Sequence, residues 1–182
     1  MICDSQVHVW GANTAERPWP ARAHAQREIA LGHEELLREM DAAGVERLVI
    51  VPPSWEGERN DLAFAAVKAH PKRFAIMGRF NPESPNARET IKGWRDQPGM
   101  LGMRFAFHIP VLQQPLIEGK FDWVWSEAEQ QGIRLMILVP RTWLKSSMGS
   151  RRVSRNSRSS WITWRSPAAN RSTRPSGIST SC

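Results

Sequence analysis

The chain has 182 residues, with 25 Lys and Arg against 18 Asp and Glu and a formal net charge of +7. Hydrophobic residues make up 41%, enough for a buried core, and two cysteines, Cys3 and Cys182, are too few for a disulfide framework. No apolar run of transmembrane length and no secretory leader pattern is visible, so a membrane span is not expected and the cytoplasm is the expected location.

The first predicted element is a strand over the opening residues, Met1-Ile2-Cys3-Asp4-Ser5-Gln6-Val7-His8-Val9-Trp10. Residues i and i+2 of a strand share a face, so Asp4, Gln6 and His8 point one way and Val7 and Val9 the other. A histidine beside an amide and a carboxylate suits metal binding or proton transfer, because one ring nitrogen can act while the other is held. A helix follows from His33 to Ala43, and Gly44 stops it. Val45 to Val51 reads as a buried strand ended by Pro52-Pro53. The next helix spans Asp61 to His70, with Asn60 as its expected cap, and Phe74 to Phe80 is the next strand. A helix over about Asn86 to Asp96 leads to the strand Gly102 to Phe107. A last helix, Phe121 to Gln131, closes at Gly132 before the strand Ile133 to Val139.

This strict alternation with near-continuous apolar strands predicts a parallel sheet covered by helices, either doubly wound or closed as a barrel. No glycine-rich phosphate loop follows the first strand, which argues against a dinucleotide fold.

Several phrases resemble one family. The opening Asp4-Ser5-Gln6-Val7-His8-Val9-Trp10, the early Arg17-Pro18-Trp19-Pro20, the helix-to-strand phrase Met40-Asp41-Ala42-Ala43-Gly44-Val45 and the strand Gly102-Met103-Arg104-Phe105 are similar to the amidohydrolase superfamily. The likeness is closest to its amidohydrolase-related branch, which includes 2-pyrone-4,6-dicarboxylate lactonase and L-fuconolactonase, and covers about residues 1–145. It implies a (β/α)8 barrel, here with about five β/α units, and hydrolysis of a lactone, ester or amide bond of a small carboxylated substrate. It also implies a first strand ending in His-x-His. Here Gln6 stands at the first of those positions and only His8 matches. A neutral amide oxygen is a poorer zinc ligand than imidazole, so His8 is expected to bind metal weakly, with Gln6 or Asp4 as co-ligands. Two alternatives stay open, a divalent metal such as zinc, or none.

His8 and Gln6 are thus the catalytic candidates. Arg104, a cation inside an apolar strand, needs an anionic partner: either a substrate carboxylate or carbonyl, or a salt bridge to Asp4 or another acid. His108, just beyond that strand, and Trp10 are further substrate-binding candidates. Trp55 and Trp143 are placed with Trp10 around a pocket, whereas Trp94, Trp123 and Trp125 sit at helical positions and read as core. The expected partner is a small molecule, with oligomeric state left open.

From Ser146 the composition turns to Ser and Arg, and the last acidic residue is Glu129. Arg151, Arg152, Arg155, Arg158, Arg165, Arg171 and Arg174 equal the whole net charge of +7, so the first 145 residues are charge-balanced. One reading makes residues 146–182 a nucleic-acid arm, since clustered Arg binds phosphate, although regular RS or RGG repeats are missing. Another is a disordered tail translated in a shifted frame. Trp161 must be TGG and Ile162 must begin AT, so the shifted codon across their junction is GAT, Asp, and the following one permits His. This resembles the Asp-His phrase on the sixth strand of the same branch. A (β/α)8 domain takes about 250 residues, so the chain reads as a truncated barrel whose own activity is in question.

Overall fold

The computed structural model describes residues 1–21 and 27–140. The expectations placed on 146–182, on the boundary at 145 and on Trp143 lie outside the described residues.

Five strands form one parallel sheet: β1 (Cys3–Val7), β2 (Arg47–Ile50), β3 (Phe74–Arg79), β4 (Met100–Ala106) and β5 (Arg134–Leu138). Their spatial order is β1-β2-β3-β4-β5, the same as their order in the chain. A doubly wound sheet reverses direction at a switch point, whereas a barrel adds each strand beside the last. The sequential order therefore decides between the two expected architectures in favour of a partial (β/α)8 barrel, a half-barrel of five strands. Among the described residues the outer edges of β1 and β5 carry no partner strand.

Helices α1 (His33–Ala43), α2 (Asp61–Ala69), α3 (Ala87–Thr90), α4 (Pro110–Ile117) and α5 (Asp122–Gln130) connect the strands. Gly44 ends α1 as expected: at φ 68° it adopts the left-handed conformation and its N–H reaches the carbonyls of Asp41 and Met40.

Three details differ from the sequence reading. The single helix expected over 86–96 is split into the short α3 and a 3-10 turn at Trp94–Asp96. The split lets the Trp94 indole turn inward and donate to the Gly102 carbonyl at 3.0 Å. Helix α4 was not anticipated, because Pro115 lies inside it; none of its residues is fully buried, although Leu112 and Leu116 pack in part against the main core. Asn60 does not cap α2 with its side chain. Its amide instead clamps the end of β3, donating to the Arg79 carbonyl at 2.8 Å and accepting from the Arg79 N–H at 2.7 Å.

Alternation along the strands sorts the apolar residues into two groups. Val9, Leu48, Ile50, Ile76, Met103, Phe105 and Leu135 belong to the main core that the helices cover. Val51, Met77 and Met136 form a smaller cluster on the opposite, concave face, with Val49 and Leu101 packed against it. Trp94, Trp123 and Trp125 join the main core as expected, in edge-on contact with Phe80 or Phe105.

Candidate active site

The C-terminal ends of parallel barrel strands converge on one mouth, and there β3 and β4 each place an arginine. Arg79 is the last residue of β3, and Arg104 lies opposite it in the β3–β4 register. In each strand the next residue, Phe80 or Phe105, belongs to the helix-covered core, so both guanidinium groups turn to the concave face. Both arginines are 5% exposed.

Two buried cations side by side require compensation. Arg79 has it in part: its Nη2 meets Glu58 Oε1 at 3.2 Å, while Nε is buried without a partner. Arg104 forms no ion pair among the described residues, and its Nη1 is buried with no hydrogen-bond partner. Burial, then the neighbouring Arg79 charge, lowers its pKa to about 10, which leaves it charged at neutral pH. The salt bridge to Asp4 that the sequence offered as an alternative is not formed. Asp4 is exposed and accepts the Gln6 N–H at 3.0 Å instead. It sits four residues before His8, roughly 13 Å along an extended strand.

His8 follows β1 directly, and the alternation with Val7 and Val9, both in or against the main core, turns it to the concave face. Its Nδ1 lies 2.5 Å from the Val51 carbonyl oxygen. A carbonyl only accepts, so Nδ1 carries the proton and donates, which leaves Nε2 with its lone pair free. Burial lowers the His8 pKa, the Val51 bond opposes this, and the charges of Arg104 and Arg79 lower it further. Those charges link His8 to the arginine pair. They act on His108 as well, whose pKa falls through partial burial and then Arg104 and Arg79, although its side chain is exposed.

The structure thus brings His8, Arg104 and His108 to one mouth, and Gln6 sits half-buried one alternation below His8. Trp10 goes elsewhere. It is 2% exposed, bridges Leu31 through two backbone bonds of 3.1 Å, and donates its indole N–H to the Ile29 carbonyl at 2.9 Å. Trp55 packs edge-on between Trp10 and Trp19. The Arg17-Pro18-Trp19-Pro20 phrase closes this corner: Arg17 pairs with the buried Glu56 and with Asp61, and Glu56 also accepts the Gly11 N–H at 2.8 Å. Sequence reasoning missed Arg79 and Glu58. The signal was present, since Arg79-Phe80 repeats Arg104-Phe105 at the end of the preceding apolar strand.

The depressed His8 pKa gives a pH signature. The unfolded imidazole titrates near its ordinary value, about 6.5. The folded one titrates lower, so below that pH the unfolded chain binds more protons and stability falls with acid. Urea unfolding between pH 8 and 5 should show that loss, with a shallower slope for His8→Asn. An equal slope would place the titration elsewhere.

This half-barrel carries its buried cations and a histidine at the C-terminal strand ends, where (β/α)8 enzymes have their active sites. The chain belongs to the Amidohydrolase family, which it matches over residues 3–156. No protein with a curated description matches it. Among solved structures it is similar to an amidohydrolase from Burkholderia multivorans with bound zinc, at 18% identity and a TM-score of 0.63, covering 80% of this chain and 51% of that one. It is also similar to a probable 2-pyrone-4,6-dicarboxylic acid hydrolase from Acinetobacter baumannii with citric acid bound (16% identity, TM-score 0.60, 79% and 51%). A third is 5-carboxyvanillate decarboxylase from Novosphingobium aromaticivorans with bound manganese (19%, 0.55, 75% and 50%). The chain spans about half the length of each of these proteins.

Two of those neighbours hold a metal, so the local donor set matters. A catalytic zinc takes three protein ligands. At the mouth His8 Nε2 and the Gln6 amide lie on the β1 side and the exposed His108 stands beyond β4, but among the described residues no three His, Cys, Asp or Glu ligand atoms gather there; Asp4 is engaged at the far end of β1. Two guanidinium groups beside His8 repel a dication. These residues do not fit a tightly held divalent metal.

Proposed function

We propose that these residues are the substrate-carboxylate side of a hydrolase that cleaves a lactone, ester or amide bond of a small carboxylated molecule. The observation that carries this is Arg104: a buried, charged guanidinium at the strand mouth whose Nη1 lacks a partner. An orphaned donor of that kind is destabilising unless a ligand completes it. A carboxylate satisfies it with paired, charge-assisted bonds and relieves the repulsion from Arg79.

The remaining chemistry follows from position. With the carboxylate held on Arg104 and Arg79, the adjoining scissile carbonyl lies in their positive field, which stabilises the oxyanion formed when water adds. His8 is neutral, and its free Nε2 accepts a proton from that water. Glu58 holds Arg79 by an ion pair, and Asn60 fixes the Arg79 backbone, so both are positioning residues.

Thermal unfolding with added ligand tests the reading. Small di- and tricarboxylates such as citrate should raise the midpoint in the millimolar range, and the matching neutral amides should not. The rise should shrink with added salt. Equal effects of acids and amides would remove the proposal.

A further inference from the structure

Away from the strand mouth, three side chains on the helical layer bring two imidazoles and a carboxylate together. His33 and Glu34 open α1, and His70 caps the C-terminus of α2. The Nε2 atom of His33 is 3.2 Å from Glu34 Oε1, and His70 Nε2 is 3.7 Å from the same oxygen. One ligand atom from each of the three lies within 4.8 Å of the others. His70 Nε2 is buried and has no hydrogen-bond partner. We propose that His33, Glu34 and His70 form a divalent transition-metal site, zinc being the fitting ion, that ties α1 to α2.

The chemistry of the donors favours a cation over a simple polar contact. Zinc binds imidazole nitrogen at about 2.0–2.1 Å and carboxylate oxygen at about 2.0–2.2 Å, so the edges of its tetrahedron are about 3.3–3.5 Å. The two carboxylate-to-imidazole separations, 3.2 and 3.7 Å, bracket that value. The third edge, between the imidazole nitrogens, is at most 4.8 Å, so side-chain rotation closes the triangle, and the exposed Glu34 beside the half-buried His33 and His70 opens the group to solvent. A carboxylate between two imidazoles supplies the negative charge that the strand mouth lacks. Two histidines and one carboxylate also leave a fourth position for water.

The location makes the role structural. The His70 ring packs edge-on against Phe74 at 5.9 Å, and Phe74 begins β3, whereas Arg79 ends it. Arg79 lies five residues further along the strand than Phe74, roughly 16 Å. A metal here is therefore at the far end of β3 from the arginine pair and does not touch a substrate held there. What it does is pin the first turn of α1 to the last turn of α2.

The test is a zinc titration of the full chain in a His8→Gln background, which removes the β1 imidazole at the strand mouth. One equivalent should bind with micromolar or tighter affinity, and the unfolding midpoint should rise. His33→Gln or His70→Gln should each weaken binding at least tenfold and cancel the rise, with circular dichroism confirming that each variant is folded. If a variant does not fold, the chain without those substitutions still decides: bound zinc should protect His33 and His70, and not His108, from carbethoxylation mapped by mass spectrometry. Absence of zinc binding, binding unaffected by both substitutions, or absence of protection would each overturn the site.

Discussion

Replacing Arg104 with methionine is expected to stabilise the protein and to remove carboxylate binding at the same time. The guanidinium is 5% exposed, has an unsatisfied Nη1 and faces a second cation across the register. Methionine is comparable in length, flexible and free of polar atoms, so it fills the space without the desolvated charge. Replacing an uncompensated buried ion with a well-packed apolar side chain stabilises by about 1–3 kcal/mol. Losing a buried charge-assisted contact to a ligand costs about 2–4 kcal/mol, a fall in affinity of roughly 30- to 1000-fold. Arg104→Lys separates charge from geometry: a point charge without the planar fork should keep the destabilisation and recover little of the binding. Urea unfolding without ligand and calorimetry with citrate read the two effects independently. A loss of stability in Arg104→Met would mean that the arginine serves the fold and not a ligand.

That trade explains why part of the site was legible in the sequence and part was not. Arg104 stood out because a charge inside Met103-Arg104-Phe105-Ala106 violates the apolar pattern of a buried strand. Arg79 breaks the same pattern, but it comes at the end of its strand, where a cation ordinarily reaches solvent. Only the pairing of Arg79 with Arg104 shows that the two share a face, and the β3–β4 ladder carries an irregularity between Ile76 and Met77 that no periodicity reveals. His8 was found through alternation and the resemblance of its strand to a His-x-His ending, and both signals are local. Its hydrogen bond to Val51 is 43 residues distant in the chain, so the tautomer that frees Nε2 was out of reach.

The same distinction holds for the fold. The apolar runs marked β2 to β5, alternation marked β1, and Gly44 marked a helix end through its own backbone chemistry. The boundaries shifted by one to three residues, as at β2, which spans Arg47–Ile50 where Val45 to Val51 was expected. Asn60 stands at the N-cap position of α2 as expected, but its side-chain amide serves β3 instead, a choice that depends on where β3 lies. The pairing of His33 with His70 likewise depends on how α1 meets α2, which neither helix encodes by itself.

Gly102→Ala is expected to disrupt the β4–β5 half of the sheet. A Cβ added at Gly102 would lie 2.1 Å from the Arg134 carbonyl oxygen and 2.8 Å from its carbonyl carbon. These are backbone atoms of the paired strand, so no rotamer relieves the clash and β5 itself must move. Gly78→Ala provides the contrast, because its nearest neighbours at 2.8 Å are the end of the Met100 side chain and the Trp94 ring, which have more room to adjust. The expected loss is about 2–4 kcal/mol for Gly102→Ala and less for Gly78→Ala. Hydrogen exchange gives the local readout: the amides of Arg134–Leu138 should lose protection while those of β2 and β3 keep theirs. The consequence reaches the site, since Arg104 pairs with Met136 two steps along the same ladder. Displacing that ladder carries the guanidinium off its register with Arg79, so Gly102→Ala should weaken carboxylate binding although residue 102 touches no ligand. Wild-type protection in β5 would refute the close approach of the two strands; normal citrate binding in a protein with β5 unprotected would separate the site from the register.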